Sequence, residues 1–444
     1  MSIDRRSVLA GAAAMLALTA GRNADAAAKT GAARSAGAFP PGFRWGVATA
    51  GHQVEGNNTN SDTWFLENVK PTIFAEPSGD SCNNLQLWAQ DLDLVKSFGL
   101  NTYRFSIEWA RVEPEPGQFS VAMLDHYARI VDGCHSRGLM PMVTFNHFTT
   151  PRWFAAAGGW THADAPAWFA RYCERTARRV APGIGYATTL NEPNLPRLLK
   201  LLQLPSFIVE GQRAMLLAAA KACGSAKFVA ANAVNDDDLP ALQAGLLEAH
   251  RLGRQAIKSA RSALPVGVSL ALTDDQAVGD PARRDARRAD LYAEWLELAK
   301  GDDFVGVQNY ERSRTGPEGT LPPPPDAPRN WSGAEIYAPS LGNAVRYAHA
   351  VTGRPVMVTE HGLGTDDDTL RAAFIPQALS GLAGAIAEGV PVLGYMHWSL
   401  LDNFEWIFGY RPKYGLVAVD RKTFKRTPKP SAAVLGAIAR RNSL

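Results

Sequence analysis

Eight short runs rich in β-branched and aromatic residues recur along this chain: Phe43–Ala50, Thr102–Trp109, Met140–Phe148, Tyr186–Glu192, Val266–Thr273, Asp303–Tyr310, Pro355–Glu360 and Val392–Leu400. Between them lie stretches whose apolar residues return at helical spacing, such as Leu85–Gly99, Val121–Gly138, Ala165–Val180 and Phe374–Gly389. Gly99 and Gly138 stand where a helix should stop. Residues 195–240 are less regular, mixing helical runs with a loop at Val234–Pro240. Thr315–Pro328, dense in proline and glycine, reads as loop after the sixth strand. Strands alternating with helices require a parallel sheet with crossovers, and eight repeats are the number that closes a (β/α)8 TIM barrel. No glycine-rich dinucleotide fingerprint follows any strand, which argues against a doubly wound sheet. No shift in composition marks a second domain, so the expectation is one α/β barrel over residues 39–444.

The first 28 residues have a different character. Arg5 and Arg6 precede an apolar segment, Val8–Ala20, and then small-residue sites such as Ala24-Asp25-Ala26. This pattern predicts an export signal of twin-arginine type over 1–28, a linker over 29–38, and a protein exported to a bacterial periplasm. The apolar run is short for a transmembrane helix, and no later segment reads as a membrane span, so no membrane association is expected once the signal is removed. Cys82, Cys134, Cys173 and Cys223 form no CxxC or metal-ligand spacing. A twin-arginine substrate folds before export, in a reducing compartment, so these are expected to be free thiols in the core. A formal net charge of +3, without runs of one sign, suggests no nucleic-acid partner.

The barrel gives two carboxylates a meaning. Glu192 ends the fourth strand and Glu360 the seventh. C-terminal strand ends of such a barrel converge on one face, so the pair would meet across a pocket mouth. Two facing carboxylates suit glycosidic bond hydrolysis, one as acid on the leaving oxygen, the other attacking the sugar carbon or activating water. Arg104, His147 and Tyr310 fall at the same ends of other strands. Alone, each has a plain structural explanation: an ion pair, a satisfied histidine, a core ring. Together they converge on one site. Several of the eleven tryptophans lie near loops, where flat rings can stack on sugars or simply fill the core.

The stretches "FRWGVATAGHQVEG", "YRFSIEWARVEPEPG", "TLNEPN", "VTEHG" and "GYMHWSLLDNFEWIFGYRPKYGLVAVD" resemble glycoside hydrolase family 1. The resemblance runs from about Phe39 to Pro430 and implies a retaining exo-β-glycosidase, most simply a β-glucosidase, acting on a small glycoside or oligosaccharide without metal or organic cofactor. It implies Glu192 as acid/base and Glu360 as nucleophile. Asn191 would hold the sugar 2-hydroxyl, and Tyr310 and Arg104 would hold the nucleophile. Gln53, His147, Glu405 and Trp406 would grip the other hydroxyls, with Trp398 as platform. Glu405, and Pro412 where phosphoglycosidases of the family carry a lysine, point to unphosphorylated substrates; Tyr414 resembles the phospho group. A transglycosidase on the same site, or a non-catalytic sugar-binding barrel, would be the alternatives.

The sequence departs from the family at His361, Thr149, Gln308, Asn309 and Asn83–Leu85. The segment after "NEPN" is leucine-rich. Leu199 and Leu202 would either line an apolar entrance for the leaving group or belong to a helix packed on the barrel.

Overall fold

The computed structural model describes residues 37–201, 205–230 and 232–444. The expected signal and most of the linker lie outside the described residues. Eight parallel strands close a barrel. They are β1 Arg44–Ala48, β2 Thr102–Ser106, β3 Met140–Asn146, β4 Tyr186–Asn191, β5 Val266–Ala271, β6 Phe304–Asn309, β7 Val356–His361 and β8 Val392–Trp398. Each neighbour follows its predecessor in sequence, and β8 closes on β1 through Arg44–Gly394 to Ala48–Trp398. All eight expected strands are present, seven of them shorter and the seventh in the chain shifted by one residue at the same length. Ile107–Trp109 does not continue β2, because Trp109 opens a helical turn, Trp109–Val112.

The principal crossover helices are α1 Asn84–Ser97, α2 Val121–Ser136, α3 Ala165–Val180, α4 Leu239–Ala260, α5 Ala282–Ala299, α6 Ser340–Thr352, α7 Asp368–Ala387 and α8 Pro430–Arg441. Gly99 and Gly138 take the left-handed backbone that stops α1 and α2, as their type suggests. Most of the apolar core lies between barrel and helices. Inside the barrel, Ala48, Met142, Phe304, Met357 and Met396 form a separate cluster beneath Trp398. The interior is therefore packed, and chemistry is confined to the open rim.

Three expectations need correcting. The proline-rich loop is partly regular: Arg312–Gly316 and Gly319–Thr320 form a hairpin, joined by Asp274–Ala277 into a small sheet beside the rim. Proline and glycine there mark a tight turn rather than an absence of structure. Second, α7 is long and apolar enough to cross a membrane, contrary to the sequence reading. Half of that stretch is buried, and Arg371 sits fully buried within it, bonded to the Leu363 and Thr365 carbonyls, so it is a helix of the barrel wall. Third, Cys82, Cys134 and Cys173 are buried but Cys223 is only half-buried; all four are free.

The two ends of the described chain meet below the barrel. Asn442 accepts from the Trp45 indole at 2.9 Å, donates to the Phe39 carbonyl at 2.9 Å, and takes the Phe39 N–H on its own carbonyl at 3.0 Å.

Candidate active site

Both glutamates follow a break in strand register. On β4 the pairing with β5 shifts between Thr188 and Asn191; on β7 the pairing with β6 shifts between Val358 and Glu360. Such irregularities re-aim the side chains beyond them. Gly362 follows β7 where any Cβ would collide with the Trp398 carbonyl, so the end of β7 can lie hard against β8 only with glycine there.

Glu360 is held by both oxygens. Arg104 on β2 donates from Nη1 to Oε1 at 2.6 Å and to the Thr359 carbonyl at 3.0 Å. Tyr310 donates from its hydroxyl to Oε2 at 2.7 Å. Arg104 is itself fixed: Nη2 donates to Asn191 Oδ1 at 2.6 Å and Nε to Thr144 Oγ1 at 3.1 Å, an oxygen that also accepts from Thr188 at 2.9 Å. The guanidinium is fully buried. Burial leaves the Glu360 carboxyl raised on balance, with Arg104 first and then the Tyr310 and Gln308 donors opposing it.

Glu192 is held differently. It lies one residue beyond β4 in left-handed backbone, φ 43°, a conformation costing a non-glycine residue roughly 1–2 kcal/mol. Backbone ties keep it there: its N–H donates to the Ser269 carbonyl at 2.8 Å, and its carbonyl accepts from Leu195 at 2.9 Å. Asn194 bonds reciprocally with Ala271, donating at 2.8 Å and accepting at 3.0 Å, and so pins the turn to β5. Burial raises its carboxyl well above the usual range, the neighbouring Glu360 charge adds to this, and only Arg104 opposes. Two coupled carboxylates in one buried site cannot easily both ionise. Glu192 is the carboxyl pushed further up, and Glu360 the one that a cation and a phenol hold down against burial.

The remaining predicted residues gather beside this pair. His147 stacks on Trp398 (5.6 Å between centroids, 17° between planes) and on Trp406 (6.2 Å, 13°), which in turn stacks on His52 (5.9 Å, 6°). Gln53 donates to the Phe404 carbonyl at 2.8 Å and to Asn403 Oδ1 at 3.1 Å, beside Glu405. Gln53 Oε1, Glu405 Oε1 and His147 Nδ1 are buried polar atoms without protein partners, which sugar hydroxyls can satisfy. Burial raises Glu405 well above its ordinary value, against hydrogen bonds from Trp398 and Gln53. Of the other tryptophans, Trp45, Trp109, Trp160 and Trp295 are core residues.

The departures resolve into separate roles. Thr149 donates to Glu108 at 2.7 Å, a buried carboxyl raised to about 7 by burial and by Glu55. His361 points away from the site onto the Tyr395 hydroxyl, 3.0 Å away, and burial lowers it to about 3. Asn309 ties the Leu272 carbonyl to the start of α6 through Ser340. Asn84 donates to Asp91 at 2.7 Å, the partner of Arg426. Tyr414 accepts from the Trp331 indole at 2.8 Å. Thr144, Asn194 and Gln308 escaped the sequence reading as site residues, although Gln308 stands in register with Glu360.

Among the described residues no group of histidine, cysteine or carboxylate side chains could hold a metal ion.

The helix after "NEPN", Leu195–Leu201, lies between two cavities. Leu198 and Leu201 line one of about 600 Å³ with Thr273, Glu311, Leu321 and Pro322. Leu199 lines the other, of about 260 Å³. Leu202 lies outside the described residues.

Comparisons with known proteins agree with this geometry. The chain is 30% identical over 463 residues to a β-glucosidase of Agrobacterium sp. (strain ATCC 21400), covering 90% of this chain and 95% of that one. The solved structure of β-glycosidase BGL167 superposes with a TM-score of 0.86 at 47% identity, covering 91% and 98% of the two chains. The apo structure of β-glucosidase 1317 gives 0.87 at 41% identity, covering 90% and 98%. Residues 35–205 and 307–444, which carry both glutamates and every binding residue named above, match glycosyl hydrolase family 1, and the chain belongs to that family.

Proposed function

We propose that this protein is a retaining β-glucosidase acting on unphosphorylated β-glucosides, with Glu360 as nucleophile and Glu192 as acid/base. The observation that carries the assignment is the asymmetry of the two carboxyls: Glu360 accepts from Arg104 and Tyr310 on both oxygens, which favours its charged form against burial, whereas Glu192 is buried, raised well above its ordinary value and without a side-chain donor among the described residues. Glu360 attacks the anomeric carbon as the glycosidic C–O bond breaks and Glu192 gives its proton to the leaving oxygen. A glycosyl ester on Glu360 results, and the negative charge that raised Glu192 is gone. Glu192 then ionises more readily and takes a proton from water, which attacks the same carbon and releases the sugar with its original configuration. A sugar-binding barrel would need neither the clamp nor the raised acid. Following a β-glucoside by proton NMR should show β-glucose first; α-glucose as first product overturns retention. A 6-phosphoglucoside turned over faster than the plain glucoside would overturn the glycone assignment, which rests on Glu405 and Pro412.

Leu198 and Leu201, with Leu321 and Pro322, support an apolar strip for the leaving group in the larger cavity, whose other walls carry Arg287, Glu311, Arg312 and Glu335. L198S/L201S should impair glucosides of bulky apolar alcohols far more than cellobiose, and equal loss would remove that role. Arg5, Arg6 and Val8–Ala20 support twin-arginine export to the periplasm, which cell fractionation of an R5K/R6K variant tests.

A further inference from the structure

Gln308 sits near the end of β6, in register with Ala271 on β5 and Glu360 on β7. Its side chain is buried, and its amide nitrogen donates to Asn191 Oδ1 at 2.7 Å. That oxygen also accepts from Arg104 Nη2 at 2.6 Å. A guanidinium has donors only, so the Asn191 atom facing it must be oxygen, and the orientation of the Asn191 amide follows from chemistry alone. Asn191 Nδ2 then faces His147 Nε2, 3.3 Å away. Burial and the Arg104 charge hold His147 well below its ordinary value, so the ring is neutral. An imidazole that accepts at Nε2 carries its proton on Nδ1, the buried atom without a protein partner.

Two donors on one oxygen have different fates during the reaction. Arg104 divides its guanidinium between Glu360 and Asn191. When Glu360 becomes an ester its charge disappears, and Arg104 is released from its strongest partner. Gln308 is neutral, and its bond to Asn191 does not depend on that charge.

We propose that Gln308 is a positioning residue that holds the Asn191 amide in one orientation through both steps. Asn191 adjoins Glu192 in the chain and shares Arg104 with Glu360. The second N–H of its amide, not used on His147, is the one left for the sugar 2-hydroxyl, the role that the resemblance to glycosyl hydrolase family 1 implies for Asn191. The inference rests on the β-glucosidase reading, and it concerns a residue that departs from the family pattern.

The test compares kcat/KM of wild type, Q308L and Q308N on an aryl β-glucoside and its 2-deoxy analogue. Q308L removes the donor at similar volume and should lose about 30-fold on the glucoside but only about 5-fold on the 2-deoxy compound, where the loss of the Gln308 donor toward Glu360 remains and the loss through the 2-hydroxyl does not. Q308N keeps a donor and should recover to within about 5-fold of wild type. Equal losses on both substrates, or a Q308N as poor as Q308L on the glucoside, would overturn the role. If Q308L does not fold, Q308M supplies the same ratio. A wild type inactive on both compounds would instead overturn the functional reading itself.

Discussion

The ends of β4 and β7 present the same residue type at the same rim, and the protein treats them in opposite ways. At β7, side chains do the holding: both oxygens of Glu360 have a donor, one of them a buried cation. At β4, the backbone does it: Glu192 sits in left-handed conformation, tied through Ser269 and Leu195, with its carboxyl unclamped. A nucleophile needs a fixed direction and a lasting charge. A group that gives a proton and later takes one needs room for two partners and a pKa that can move. The difference teaches that roles in this pair follow from what surrounds each carboxyl.

The largest effect should come from E360G, which removes the attacking oxygen and should lower kcat at least about 10⁵-fold. Azide entering the space should then give α-glucosyl azide, identified by NMR; a fully active variant would dissolve the comparison. E192G should cost about 10³-fold on substrates with poor leaving groups and far less on activated aryl glucosides, which need little protonation. Azide should here give the β-azide, the opposite anomer. Y310F removes a donor that favours the charged form of Glu360, so the carboxyl rises. The acid limb of kcat/KM should move to higher pH while the basic limb, reporting Glu192, stays, with a loss of about 10–100-fold at the optimum. A moved basic limb would reverse the assignments. N194A loosens only the backbone side and should lower kcat about 5-fold without moving either limb.

Strand ends were readable from sequence because strand periodicity locates them and barrel closure brings them together. That is why Glu192, Glu360, Arg104, Tyr310 and His147 could be gathered from positions up to 256 residues apart. What could not be read depends on contacts rather than pattern. The left-handed turn at Glu192 is imposed by β5, and no residue type announces it. The Asn191 orientation is decided by Arg104, 87 residues away. The hairpin at Arg312–Thr320 was hidden because proline and glycine signal turns more strongly than two short strands signal a sheet. The apolar character of α7 reflects neighbours on both sides, α6 and α8, which composition alone cannot separate from lipid.

The clasp between Phe39 and Asn442 has a bearing on how this molecule could be re-cut. Both ends of the folded chain are bonded to each other at the foot of β1, on the face opposite the glutamates. Ends so placed tolerate joining by a short linker, with new termini opened at an exposed loop elsewhere. The same placement puts residue 37, where the described chain starts, on the blind side of the barrel, away from the rim that carries the glutamates.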